Sequence, residues 1–355
     1  MLMRMTCALV AVFLLGLSVR AEQAPAAKQA EGAQPDPMGE QAKELLQELR
    51  TYKHKIVFET NRDGNWELYL MNADGSNPVN LTRTPDVDEM YAKASPDGTK
   101  ICFTADEGKA AAKKRNLFVM NVDGAERKKI CDNAREPCWS ADGKSIAFLK
   151  GEFDRYDAMD FVTKGIFIYD MKTGETREHP NKKIHHLYCL NWTPDGNWFV
   201  ATVHGGMGFK HAILALGAND DKVFDLKLGG CRPDVSPDGK KVIWGHGDFA
   251  VGMANLELTA DSAKATITGN VVQSKEPVET YHADWSPDGK YIAFTRGSKP
   301  KGKHLGLAPE IPSSDAPGWN TCVADASQKT KWVAITTDGK SNKEPDWVFV
   351  KDDGK

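Results

Sequence analysis

Three histidines raise the question of chemistry in this chain. His204, His246 and His282 fall in consecutive copies of an internal repeat, where neighbouring units approach one another. Three imidazoles around an ion with an open position suit a catalytic divalent metal; imidazoles standing apart serve as hydrogen-bonding pocket groups. A second set is the residue just before the repeat motif in each unit: Tyr91, Glu136, Cys189, Arg232, His282 and Glu344. One residue earlier stand Met90, Arg135, Tyr188, Cys231, Tyr281 and Lys343. At the exits of the second strands stand Arg62, Asp106, Lys150, His204, His246 and Arg296. The sets are polar, aromatic and charged, whereas the strands behind them are apolar. The expected ligand-binding residues are Tyr91, Arg135, Glu136, Tyr188, Arg232, His246, Tyr281, His282, Arg296 and Glu344. No catalytic residue is assigned. A Gly-x-Ser-x-Gly elbow, a His-Glu-x-x-His helix and a phosphate-cradling glycine loop are all missing. Cys189 and Cys231 have no visible base partner, and His185-His186 belongs to a loop between units.

The elements that position these residues follow from the repeat. Its clearest copy runs Tyr281-His282-Ala283-Asp284-Trp285-Ser286-Pro287-Asp288-Gly289-Lys290-Tyr291-Ile292-Ala293-Phe294. Corresponding Asp-Gly pairs begin at Asp97, Asp142, Asp195 and Asp238, so the period is 43 to 53 residues. Asp-Gly between alternating apolar residues makes a tight hairpin turn. A third strand follows, as in Trp66–Met71 or Asn116–Met120, and a short one such as Pro78–Thr82 ends the unit. Four strands at this period are propeller blades. Glu344-Pro345-Asp346-Trp347 starts a sixth copy whose second strand is Lys55-Ile56-Val57-Phe58, so the two ends of the chain should share the last blade. The expectation is all-β: a six-bladed β-propeller over residues 53–355, closed by its N- and C-terminal strands. The motif tryptophan should pack between blades. A stretch from Gly297 to Gly318 is expected as a surface loop on one face.

The repeat resembles that of the TolB-type, WD-like propellers over about residues 55–350. The resemblance implies an exported binding or scaffold protein whose ligand, a peptide, protein or glycan, sits at the mouth of the axial channel. TolB carries an α/β domain before its propeller; here a linker and a short helix precede Lys55. The histidine before the motif is also similar to that of oligogalacturonate lyases, which implies the alternative: a polysaccharide lyase or hydrolase using His204, His246 and His282, with or without a divalent metal. A scaffold using only the outer blade edges is the third possibility.

Composition is that of an ordinary soluble protein, 41% hydrophobic and 27% charged. A formal net charge of -3 gives no basic footprint for nucleic acid. Arg4, the apolar run Cys7–Ser18 and Val19-Arg20-Ala21 form a secretory signal over residues 1–21. The competing reading is a retained anchor, for which the run is short. Residues 22–37 read as a flexible linker, and residues 38–52 as a short amphipathic helix with Ala42, Leu45, Leu46 and Leu49 on one stripe. The mature protein is expected to be periplasmic or secreted, monomeric, without a membrane span or obligatory cofactor. Six cysteines remain after Cys7, without a CxxC, and read as buried thiols.

Overall fold

The computed structural model describes residues 39–109, 112–299, 308–312, 314–327 and 330–352. The expected signal (1–21) and linker (22–37) lie outside the described residues. Six four-stranded sheets, each antiparallel throughout, form the six blades. The innermost strands of blades 1 to 6 are Asp88–Ala94, Ala134–Trp139, Leu187–Trp192, Cys231–Val235, Val278–Trp285 and Asn342–Val348. The sixth blade is split as the sequence predicts. Asn342–Val348 pairs with Lys55–Thr60, with Lys55 opposite Val348 and Thr60 opposite Asn342.

The motif builds the first turn of blades 1 to 5. In blade 1 the Ser95 hydroxyl donates to Asp97 Oδ1 at 2.6 Å and accepts the Lys100 N–H at 2.9 Å. Ser140, Thr193, Ser236 and Ser286 donate in the same way to Asp142, Asp195, Asp238 and Asp288. Gly98 then turns with φ of +70°, in the left-handed region. A Cβ there would stand 1.8 Å from the Phe349 carbonyl oxygen, so this turn also needs glycine to let the last strand pass.

The core is divided among the gaps between blades. Trp139, Ile146 and Phe148 of blade 2 pack on Cys102, Leu117 and Val119 of blade 1. Trp285 of blade 5 packs on Ile243 and Val251 of blade 4. Trp347 of blade 6 packs on Tyr291 and Val323 of blade 5. Large rings join adjacent sheets, as their size predicts. A helix at Glu40–Leu49 seals the gap between blades 5 and 6 with Leu45 and Leu49, both fully buried. Tyr52 just beyond it donates to Asp288 at 2.6 Å. No helix among the described residues is long and apolar enough to cross a membrane. The six cysteines among the described residues are free thiols, with Cys102, Cys138 and Cys322 buried.

Candidate functional site

Each innermost strand breaks register at the residue before the motif. The shifts fall between Met90 and Lys93, Arg135 and Cys138, Tyr188 and Asn191, Cys231 and Asp234, and Tyr281 and Asp284, and in blade 6 opposite Lys343 and Asp346. The extra residue in every case has a left-handed backbone: Tyr91 φ 54°, Glu136 50°, Cys189 50°, Arg232 57°, His282 54° and Glu344 46°. Six side chains of five kinds share one conformation that costs about 1–3 kcal/mol per residue. The backbone therefore belongs to the repeat and the side chain to the individual blade. A bulge re-aims a side chain out of the strand's alternation, and all six line one axial cavity of about 40 Å³. That volume holds about three waters.

Two layers of charge line this cavity. In the first, Arg232 Nη1 donates to Glu344 Oε1 at 3.0 Å and Nη2 to Asp160 Oδ2 at 2.7 Å. The Tyr91 hydroxyl donates to Asp160 Oδ1 at 2.6 Å, and Glu136 Oε2 accepts the Cys189 N–H at 3.1 Å. In the second, two residues along each strand, Lys93 Nζ sits 2.7 Å from Asp284 and 2.8 Å from Asp346. Asp234 accepts the Trp285 N–H at 2.8 Å. Six carboxyls thus face two permanent cations. Burial and the neighbouring Asp160 push the Glu136 carboxyl up to about 8, and burial with the adjacent Asp284 pushes Asp346 up to about 7. Burial, with Arg232 and Lys343 nearby, holds His282 well below its ordinary value, so this imidazole is neutral. Glu136 Oε1 and His282 Nδ1 are buried without a hydrogen-bond partner among the described residues.

The mouth above this cavity is covered by the chain itself. Between the second and third strands of blade 2, a segment brings Asp160 onto Tyr91 and Arg232, and Arg135 Nη1 donates to its Met159 carbonyl at 3.3 Å. From blade 5 comes the second segment, residues 308–312 and 314–319. His282 Nε2 lies 2.8 Å from the Glu310 carbonyl oxygen, to which Arg232 Nη2 also donates at 3.3 Å. Lys343 Nζ donates to the carbonyls of Pro309, Ile311 and Ser314 at 3.1, 2.6 and 2.9 Å. Ala316 and Trp319 are buried against Tyr281. This corrects the expectation of a surface loop from Gly297 to Gly318: Gly297 and Ser298 end a strand, and residues 308–312 with 314–316 are packed into the mouth. The reason is chemical, since three buried donors there need acceptors and the segment's carbonyls supply them.

The residues expected to bind ligand divide accordingly. Tyr91, Glu136, Arg232, His282 and Glu344 line the cavity. Arg135, Tyr188, His246, Tyr281 and Arg296 do not. Arg135 supports the blade 2 segment, while Tyr281 donates to Asp248 at 2.5 Å and stacks on Trp319. Tyr188 is buried beneath the Arg232 guanidinium. Arg296 lies over the Trp332 ring and reaches Ser274, and His246 is exposed beside Asn270. His204, His246 and His282 have separate partners: His211, Asn270 and Glu310. Among the described residues no three His, Cys, Asp or Glu side chains stand close enough to hold a metal. Sequence reasoning missed Asp160, which lies outside the repeat, and did not place Asp234, Asp284 and Asp346 among the site residues. Lys93, where the other blades have Cys, Asn or Asp, was the available signal.

No family model matches the chain. A TolB homologue of Chlorobaculum tepidum is 36% identical over 98 residues, 27% of this chain and 21% of the relative. One from Chlorobium luteolum is 24% identical over 163 residues, 34% of this chain and 35% of the relative. The repeat is of the TolB type. The matched stretches span about a third or less of these relatives' length. The crystal structure of TolB from Acinetobacter baumannii superposes with a TM-score of 0.58 at 16% identity, over 83% of this chain and 66% of that one. At that identity the overlay shows the six-bladed TolB-like fold alone.

Proposed function

We propose that this TolB-type propeller is an exported, non-enzymatic binding protein that holds a peptide segment of a protein partner at the channel mouth. The supporting observation is the way Arg232, His282 and Lys343, from blades 4, 5 and 6, close on peptide carbonyls at Pro309, Glu310, Ile311 and Ser314. Donors from separate blades reading consecutive backbone carbonyls suit a peptide rather than a sugar ring. The cavity beneath is too small for a side chain beyond a few atoms, so an incoming peptide takes the place of the blade 5 segment. The left-handed backbone fixes two of these donors, Arg232 and His282, before binding, which limits the ordering entropy of association.

The test is selection of phage-displayed heptapeptides on the folded chain, followed by fluorescence polarisation with the enriched peptides. Binding should weaken at least tenfold in Lys343→Met and in Arg232→Gln, each checked for an intact thermal transition. Hydrogen exchange at residues 308–316 should rise when peptide binds. Peptides that bind both variants as tightly as the parent would place the partner elsewhere, on the outer blade edges.

A further inference from the structure

A separate group of histidines stands at the rim of blade 3. Strands Trp198–Gly206 and Phe209–Gly217 form a hairpin through Met207 and Gly208, and His204 lies directly opposite His211. Residues opposite each other in an antiparallel pair project to the same face. Both imidazoles are exposed, and their Nδ1 atoms are 3.2 Å apart. His211 Nε2 lies 2.9 Å from the Gly230 carbonyl oxygen, which can only accept. The Nε2 therefore carries the ring's proton, and the His211 Nδ1 lone pair points at His204. A second nitrogen donating to a backbone carbonyl is how metal-ligating histidines are usually held. The Phe161 ring lies 4.5 Å from the His204 ring and supports it from the other side.

We propose that His204 and His211 form a two-imidazole site for a late divalent transition-metal ion, of the class Cu²⁺, Ni²⁺ and Zn²⁺. Two nitrogens bound to one ion at about 2.0–2.1 Å, with an angle near 90–110°, stand roughly 2.9–3.4 Å apart. The hairpin already holds its two nitrogens at that separation. With His211 Nδ1 accepting, the hydrogen-bond pattern assigns the proton between them to His204 Nδ1. On metal binding His204 moves that single proton to Nε2 by exchange with solvent, so both Nδ1 lone pairs reach the ion and no net proton is released. Imidazole donors select this metal class over Ca²⁺ and Mg²⁺, which take oxygen ligands, and the general affinity order puts Cu²⁺ first. The remaining positions fall to water, because the neighbouring rings are engaged. His186 has one nitrogen 3.1 Å from the Gly205 carbonyl oxygen and the other 3.0 Å from Glu152. His185 has one nitrogen 2.8 Å from the Lys183 carbonyl oxygen, and its other accepts the Met207 N–H. This pair is distinct from a three-blade histidine centre, because both ligands come from one hairpin.

The site is tested by isothermal titration of the full chain, purified without a histidine tag, with Cu²⁺ and then Ni²⁺. One equivalent of each should bind. His204→Ala leaves the His211–Gly230 contact in place and should weaken Cu²⁺ binding at least tenfold, as should His211→Ala, whereas His246→Ala should match the parent. The Cu²⁺ electron paramagnetic resonance spectrum should show coupling to two imidazole nitrogens in the parent and to one in either hairpin variant. Unchanged affinity in His204→Ala, or a parent that binds no stoichiometric Cu²⁺, overturns the assignment.

Discussion

Glu136 makes the axial cavity sensitive to pH in a direction that can be worked out in advance. Burial, reinforced by Asp160, moves this carboxyl from an ordinary 4.5 to about 8 in the folded chain. Below pH 4.5 the group is protonated both folded and unfolded, and stability is at its full value. As pH rises from 4.5 the unfolded chain gives up the proton first. The unfolded state then binds fewer protons than the folded one, so stability falls until about pH 8, where the folded chain ionises as well. A shift of this size, at about 1.4 kcal/mol per pH unit, sets an upper bound of about 5 kcal/mol on the loss. Glu136→Gln keeps an acceptor for the Cys189 N–H and removes the ionisation. Urea titrations at pH 5 and pH 8.5 provide the comparison. The glutamine variant should differ from the parent by about 1 kcal/mol or less at pH 5. At pH 8.5 it should be more stable by roughly 2–5 kcal/mol, a rise in melting temperature of about 3–8 °C for a domain of this size. A variant no more stable than the parent at pH 8.5, or one that gains equally at both pH values, refutes the reasoning.

Other substitutions probe the cavity, the turns and the helix. Arg232→Gln leaves Asp160 and Glu344 without their shared cation. It should lower unfolding stability by about 3–5 kcal/mol, and limited proteolysis should show faster cleavage near residues 308–316. Gly98→Ala and Gly143→Ala impose the same left-handed strain of about 1–2 kcal/mol. Only the former drives a Cβ onto the Phe349 carbonyl, since the nearest atom at Gly143 is 3.8 Å away. Gly98→Ala should therefore cost at least twice as much by chemical denaturation. Leu49→Ala should destabilise by about 2–5 kcal/mol, because its side chain is fully buried between the helix and blades 5 and 6.

Much of the fold was legible because the repeat states it several times. Asp-Gly turns, Ile-Ala-Phe strands and the split copy at the chain ends were enough for blade number and closure. The pre-motif position was also legible, since five kinds of residue in six copies of a regular repeat mark a place the fold does not dictate. The bulge that turns those residues inward was not, because Tyr91, Cys189 and Glu344 have no intrinsic preference for a left-handed backbone. Nor was the cover over the mouth. Asp160 and Glu310 lie in segments without periodicity, and only three-dimensional closure brings them onto Arg232 from residues 72 and 78 positions away in the chain. The histidines misled for a related reason: equivalent places in successive blades lie around a ring and need not meet, whereas His211, on the third strand of blade 3 and outside any motif, lies directly across from His204.

The split blade also has a mechanical meaning. Lys55 and Val348 are partners at one end of the closing strand pair, and before Lys55 the chain is still held on blades 5 and 6 through Leu45, Leu49 and Tyr52. A force drawing the two ends apart therefore acts at a single end of that pair. It peels the strands like a zipper, loading the hydrogen bonds one after another, instead of shearing them all at once. The last bonds to part lie beside Thr60 and Asn342, next to Lys343 and Glu344. Tension on either terminus thus works its way towards the two residues of blade 6 that grip the mouth. Once the helix contacts on blade 5 have given way, a tug on the ends would loosen the axial site before blades 1 to 4 feel any load.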